Sequence, residues 1–172
     1  VFVGGSFRLA GGISATNVAK WNGSSWENLS FGTSGPVQVL TVCGDDLYVG
    51  GSFLKVGETP ARALAKWDGA TWSPLGSGLQ GGGPFAMLST GSEIIVGGTF
   101  TMAGNKPSSR IALWHIPHSL SIQRAGTDVT LSWRATGTNF VLEATSDLGP
   151  PDWQGVSGTP GIVNERCVVT LA

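Results

Sequence analysis

The chain has 172 residues, enough for one domain or two small ones, with 41% hydrophobic residues and only 12% charged, against about 25% charged in an ordinary globular domain. Its net charge is −1, with acids and bases interspersed, which excludes a basic face for nucleic acid and a polybasic segment for an anionic membrane. No apolar run approaches the roughly 18 residues of a membrane-spanning helix. Glycine (27) and tryptophan (7) are abundant, and Gly interleaved with Val, Ile, Phe and Trp reads as many short strands joined by tight turns. An all-β protein is expected.

The opening residues carry neither an initiator Met nor a charged leader, so the chain is expected to begin inside a longer protein. A repeat then organises the first two thirds. Val3-Gly4-Gly5-Ser6-Phe7 returns as Val49-Gly50-Gly51-Ser52-Phe53 and as Val96-Gly97-Gly98-Thr99-Phe100, at spacings of 46 and 47 residues. A second block keeps the same phase: Ala19-Lys20-Trp21-Asn22-Gly23-Ser24-Ser25-Trp26, then Ala65-Lys66-Trp67-Asp68-Gly69-Ala70-Thr71-Trp72, then the shortened Ala112-Leu113-Trp114. Between them recur Ala10-Gly11, Val56-Gly57 and Ala103-Gly104. Fixed phase across three elements separates this glycine from generic turn content.

In the middle copy, residues 37–43 are apolar and β-branched, 44–46 are turn material, and 47–49 resume a strand. A loop around 56–60 precedes strands at 63–67 and 72–75, joined through Asp68-Gly69, which tolerate positive φ. Four antiparallel strands in about 45 residues is the period of a propeller blade. The two Trp of each hairpin are five residues apart, so they should face each other as a cross-strand pair. The double Gly lets backbones approach where a side chain would clash. The third copy has no fourth strand after Trp114. About 2.5 four-stranded blades, residues 1–116, cannot close a ring of four to eight, so further blades are expected upstream, with an open solenoid as the alternative.

Gly-Gly after an apolar strand with Trp on a later strand resembles the kelch and galactose-oxidase-like propeller repeat. The longer string, Leu-Tyr-Val-Gly-Gly-Ser-Phe followed by Ala-Lys-Trp-Asp-Gly-Ala-Thr-Trp, is more similar to the propeller repeats of large bacterial surface proteins. The distance from Gly-Gly to Trp departs from kelch, so no kelch-specific function carries over. Asp68-Gly69-Ala70-Thr71-Trp72 also resembles the Asp-box turn of sialidase propellers, one residue short between Asp and Gly.

After a linker at 117–119 the period vanishes. Residues 120–123, 129–133, 140–144, 153–156 and 166–171 read as strands, with Trp133 inward. A small β-sandwich over 120–172 is expected, shortened at its end, since seven strands are usual in such folds. The stretch resembles the fibronectin-III-like or Ig-like modules that end many secreted bacterial proteins.

Chemistry is sparse. His115 and His118 flank Ile116-Pro117 and read as solvated linker residues, because a metal would need further ligands. Asp45, Asp46, Asp68, Asp128, Asp147 and Asp152 fall in expected turns, where Asp bonds its own backbone. Gly81-Gly82-Gly83-Pro84 lacks the Lys-Ser/Thr of a phosphate loop and reads as an insertion between copies. Cys43 and Cys167 lie in alternating apolar runs and read as small buried hydrophobes. No catalytic, cofactor or metal set emerges. The weak binding candidates are Arg62 and Arg110, in corresponding loops before the third strand, where propellers often bind ligands. The expected function is a non-catalytic binding or adhesion scaffold, extracellular or on the cell surface, taking a protein or glycan. The other reading is a fragment of a secreted carbohydrate-active or galactose-oxidase-like enzyme whose catalytic residues lie in other blades.

Overall fold

A computed structural model describes residues 1–116, 121–134, 143–144, 154–155, 161–163 and 166–171. They are all-β, with no helix among them, and their strand pairings are antiparallel. The chain divides into two compact units, Val1–Ile116 and Pro117–Ala172.

In the first unit three sheets follow the three sequence copies. The middle sheet is complete, with Trp72–Pro74, Leu64–Trp67, Asp46–Gly51 and Val37–Cys43 side by side in that order. The first holds Phe2–Gly4, Val18–Trp21 and Trp26–Asn28. The third holds Pro84–Ser89, Glu93–Gly98 and Ile111–His115. As the sequence indicates, that third sheet has no strand outside Ile111–His115 among the described residues. Two-residue ribbons stand at the side of each sheet, such as Lys55–Val56 against Thr59–Pro60, where the sequence suggests a plain loop.

The tryptophan spacing has the expected result. Trp21 lies directly opposite Trp26, and Trp67 opposite Trp72. Their ring centroids are 5.4 and 5.2 Å apart and tilted by 53° and 52°, the offset geometry that aromatic quadrupoles favour. The turns between them are closed by one device. Asn22 Oδ1 accepts from the Ser24 and Ser25 amides, and Asp68 Oδ1 accepts from those of Ala70 and Thr71. The Thr71 hydroxyl also donates to Asp68 Oδ2 at 2.8 Å.

These donors, the Thr71 amide first, hold the Asp68 carboxyl down at about 2. A folded-state value below the unfolded one adds stability that is complete above about pH 4 and lost as pH falls through about 2. The turn is exposed, so the effect should stay under about 1 kcal/mol. Asp68→Asn should keep the turn, as Asn22 does, and remove this acid sensitivity. Urea midpoints between pH 6 and 2 check it; a wild-type advantage that stays constant over that range would refute the assignment.

The two glycines of the repeated Gly-Gly have separate tasks. A Cβ on Gly51 would meet the Pro36 carbonyl oxygen at 2.1 Å, and one on Gly98 the Gly83 carbonyl oxygen at 2.1 Å. Both partners lie in the same copy, just before its first strand. The preceding glycine instead faces the next copy. A Cβ on Gly4 would stand 2.5 Å from Val37 Cγ1, and one on Gly50 would meet Val39 Cγ2 of its own sheet at 2.8 Å and Pro84 Cγ of the next copy at 2.9 Å.

Apolar side chains fill the space between neighbouring sheets. Val18 and Leu29 pack with Leu47, Val49, Trp67 and Trp72. On the other face of the middle sheet, Cys43, Tyr48 and Leu64 pack with Leu79, Ile94, Val96 and Phe100. One hydrogen bond ties a hairpin to the preceding copy: the buried Trp72 Nε1 donates to the Leu29 carbonyl at 2.8 Å.

The second unit contains a four-stranded sheet in the order Ser121–Ala125, Asp128–Arg134, Arg166–Leu171, Gly161–Val163. Glu143–Ala144 pairs with Gln154–Gly155. Trp133 is buried with Leu131 and Val169, inward as its alternation implies. The expected strand residues 140–142, 153 and 156, and the loop at 148–152, lie outside the described residues.

Candidate binding site

The cleft that holds a sequence-identified candidate is formed by three segments of the first unit. The turn after Asp46–Gly51 supplies Ser52, Phe53 and Leu54. The approach to Leu64–Trp67 supplies Arg62 and Ala63. The connection to the third sheet supplies Leu79 to Gly83. Together they line an open concavity of about 480 Å³.

Backbone hydrogen bonds fix these segments. The Gly51 amide donates to the Ala63 carbonyl at 2.9 Å, the Ala63 amide to the Phe53 carbonyl at 3.0 Å, and the Leu79 amide to the Arg62 carbonyl at 3.1 Å. This weave needs a left-handed residue at position 63, where φ is 63°. The corresponding Asn17 and Arg110 have φ of 64° and 68°. Their carbonyls likewise accept from the second glycine of the pair, Gly5 and Gly98.

Phe53, Ala63 and Leu79 are buried in the cleft, while Ser52, Leu54 and Arg62 are exposed at its rim. Arg62 also borders a second cleft of about 340 Å³ with Leu54, Pro60, Ala61, Pro74, Gly76 and Ser77. Arg62 is therefore shared by two concavities. No carboxylate lines either one, and the guanidinium has no ion-pair or hydrogen-bond partner among the described residues. An unopposed, always-charged fork beside hydroxyl and amide groups is chemistry for a carboxylate or another planar oxyanion.

Arg110 does not join it. Arg62 lies 46 residues after Thr16 and 47 before Ser109, whereas Arg110 corresponds to Ala63. The two arginines occupy corresponding loops but different positions, and Arg110 is absent from the cleft lining. The glycines at 81–83, read from sequence as an inserted loop, form one wall of it.

Two sequence expectations are corrected here. His115 is not a linker residue: it ends the strand Ile111–His115 opposite Glu93, and its Nδ1 lies 3.1 Å from Glu93 Oε1. Asp46 and Asp128 begin strands rather than sitting in turns, and Asp46 Oδ2 accepts from Lys66 Nζ at 3.2 Å. His118 falls outside the described residues. Among the described residues there is no group of three or more His, Cys, Asp and Glu side chains placed to hold a metal. Neither cysteine is in a disulfide; Cys43 is buried, with its Sγ 3.3 Å from the Gly91 carbonyl oxygen. No described helix is long and apolar enough to cross a membrane.

No family model matches the chain, and neither a curated protein nor a solved structure matches it.

Proposed function

We propose that residues 1–116 are part of a β-propeller of kelch-like repeats serving as a non-catalytic binding platform on an extracellular or cell-surface protein. Residues 120–172 are then a small β-sandwich that acts as spacer or attachment module. The ligand class is an acidic glycan, one bearing uronate-type carboxylates, held at Arg62. The observation that carries this reading is the exposed Arg62, shared by two concavities that no carboxylate lines and without an ion-pair partner among the described residues. Low overall charge leaves that cation little competition from its own surface. The repeat supports the propeller reading, and the modular end supports the extracellular one.

Binding to arrayed neutral and uronate-containing oligosaccharides tests the reading. The wild type should retain the acidic members selectively, and Arg62→Ala should weaken them about 10- to 100-fold, the loss of one charge-assisted hydrogen bond. Equal retention of neutral sugars, or an Arg62→Ala variant that binds as well as wild type, would refute it.

A further inference from the structure

We propose that the cleft beside Trp114 binds a tryptophan carried on an extended segment of another protein, which adds to the edge of Ile111–His115 as a further strand. The site is separate from the Arg62 cleft and does not depend on what Arg62 binds. It is an open cleft of about 330 Å³. One wall is the side ribbon Met102–Ala103 against Lys106–Pro107, with Gly104 at its turn; the other is the strand from Ile111 to Trp114. No strand pairs with Ile111–His115 on that side among the described residues.

The two preceding copies show what fits such a cleft. Gly104 corresponds to Gly11 and Gly57 in their ribbons, and Trp114 to Trp21 and Trp67. A Cβ on Gly11 would run into Trp26 Cδ1. One on Gly57 would meet the Ser30 carbonyl oxygen at 3.2 Å and Trp72 Cδ1 at 3.8 Å. At Gly104 nothing lies within 4 Å. Trp26 and Trp72 thus stand between a ribbon glycine and a facing indole, and in the third copy both walls of that slot remain without the ring. A polar partner is in place as well. The Leu29 carbonyl accepts from the Gly32 amide and also from Trp72 Nε1. Leu75, at the corresponding place, accepts from the Gly78 amide in the same way, and no indole donates to it among the described residues. Its neighbour Gly76 lies beside the cleft, since a Cβ there would stand 3.6 Å from Trp114 Nε1.

Register gives the ligand its second feature. In both complete hairpins the residue after the outer Trp lies opposite the residue before the inner one, as Glu27 does opposite Lys20, with an ion pair at 3.4 Å. The third copy has Leu113 in place of that lysine, 46% exposed. An aliphatic residue should therefore follow the incoming Trp. Strand addition of this kind draws affinity from main-chain hydrogen bonds and specificity from such pockets.

The described strands of this chain do not supply the segment. Trp21, Trp26, Trp67 and Trp72 are committed to their own pairs, and Trp133 to the core of the second unit. His115-Ile116, followed by Pro117, stands where Asp68-Gly69 turns the middle copy back on itself. The strands that come next, Ser121–Ala125 and Asp128–Arg134, pair with each other. A second molecule of the chain has the same strands engaged.

Fluorescence anisotropy of a labelled peptide copying Gly69–Gly76, with Ser73→Val, tests the site on the 172-residue chain. The peptide should bind saturably, and its Trp72→Ala version at least about tenfold more weakly, because a Trp seated in a fitted pocket dominates such interfaces. In the protein, Gly104→Asn places a side chain where the indole would sit, and Asn accepts the left-handed φ of 56° there. It should weaken the peptide by a similar factor. Gly126→Asn, at φ 65° with nothing near its Cβ and in the second unit, should bind like wild type. No binding at millimolar peptide, equal affinity for the Trp72→Ala peptide, or a Gly104→Asn variant that binds as well as Gly126→Asn would overturn the site. Two further results would overturn the assignment to another protein: a full polypeptide of the same reading frame that refuses the peptide while the 172-residue chain takes it, or a dimer of that chain that the peptide dissociates.

Discussion

Trp72→Ala should lower the unfolding free energy of the first unit by about 3–5 kcal/mol, the range for deleting a large buried aromatic. Three losses coincide at this residue. Its ring is 8% exposed, so the truncation leaves a void in the layer between the first and second sheets. The tilted contact with Trp67 disappears. The Leu29 carbonyl, beside a buried side chain, loses its donor. Trp72→Phe separates these terms, because it keeps much of the volume and removes only the N–H; about 1–2 kcal/mol is expected for it. Chemical denaturation followed by circular dichroism measures both, and a loss below about 1 kcal/mol for the Ala variant would show that the layer closes without this ring.

Asn17→Ala should cost about 3 kcal/mol. The Asn17 side chain is buried and bonded at both ends. Its Oδ1 accepts from the Phe7 amide at 3.2 Å, and its Nδ2 donates to the Thr33 carbonyl at 2.9 Å. Removing it leaves a donor and an acceptor without partners, about 1–3 kcal/mol. Asn also tolerates the left-handed backbone at φ 64° better than Ala does, a difference on the order of 1 kcal/mol. Asn17→Gly should be the milder variant, relieving the backbone while losing the same hydrogen bonds. If both variants unfold at the wild-type denaturant midpoint, the side chain does not hold the first two copies together as these distances imply.

Ala63 occupies the equivalent place with no side-chain hydrogen bonds at all. That contrast marks how far the sequence can be read. The tryptophan pairs were legible because hairpin spacing and side-chain alternation dictate them directly, and so was the Asx-closed turn at Asp68. The left-handed conformation at Ala63 and Arg110 was not: neither carries the Gly or Asn signature of positive φ, and the surrounding backbone hydrogen bonds impose it. The side ribbons were missed because two-residue strands show no alternation and Pro60 speaks against a strand. The pairing of His115 with Glu93 joins residues far apart in sequence, so only the strand register brings them together. The same limit applies to the cleft. Arg62 stood out as a loop cation, but its cleft needs three distant segments, and the glycine loop that walls it reads in sequence only as an insertion. The double Gly was recognisable as a close approach; that one residue serves its own sheet and the other its neighbour follows only from the contacts.

The hydrogen bond from Trp72 to Leu29 also bears on how the unit comes apart. It anchors the outer hairpin of one copy to the backbone of the copy before it, so that hairpin has its full complement of partners only when two copies are folded together. Stability in such an array is a sum of weak single units and strong nearest-neighbour couplings. The first and second copies should consequently exchange their amide hydrogens in one shared opening event. The third, whose Trp114 has no opposing hairpin strand among the described residues, should open before them in the 172-residue chain.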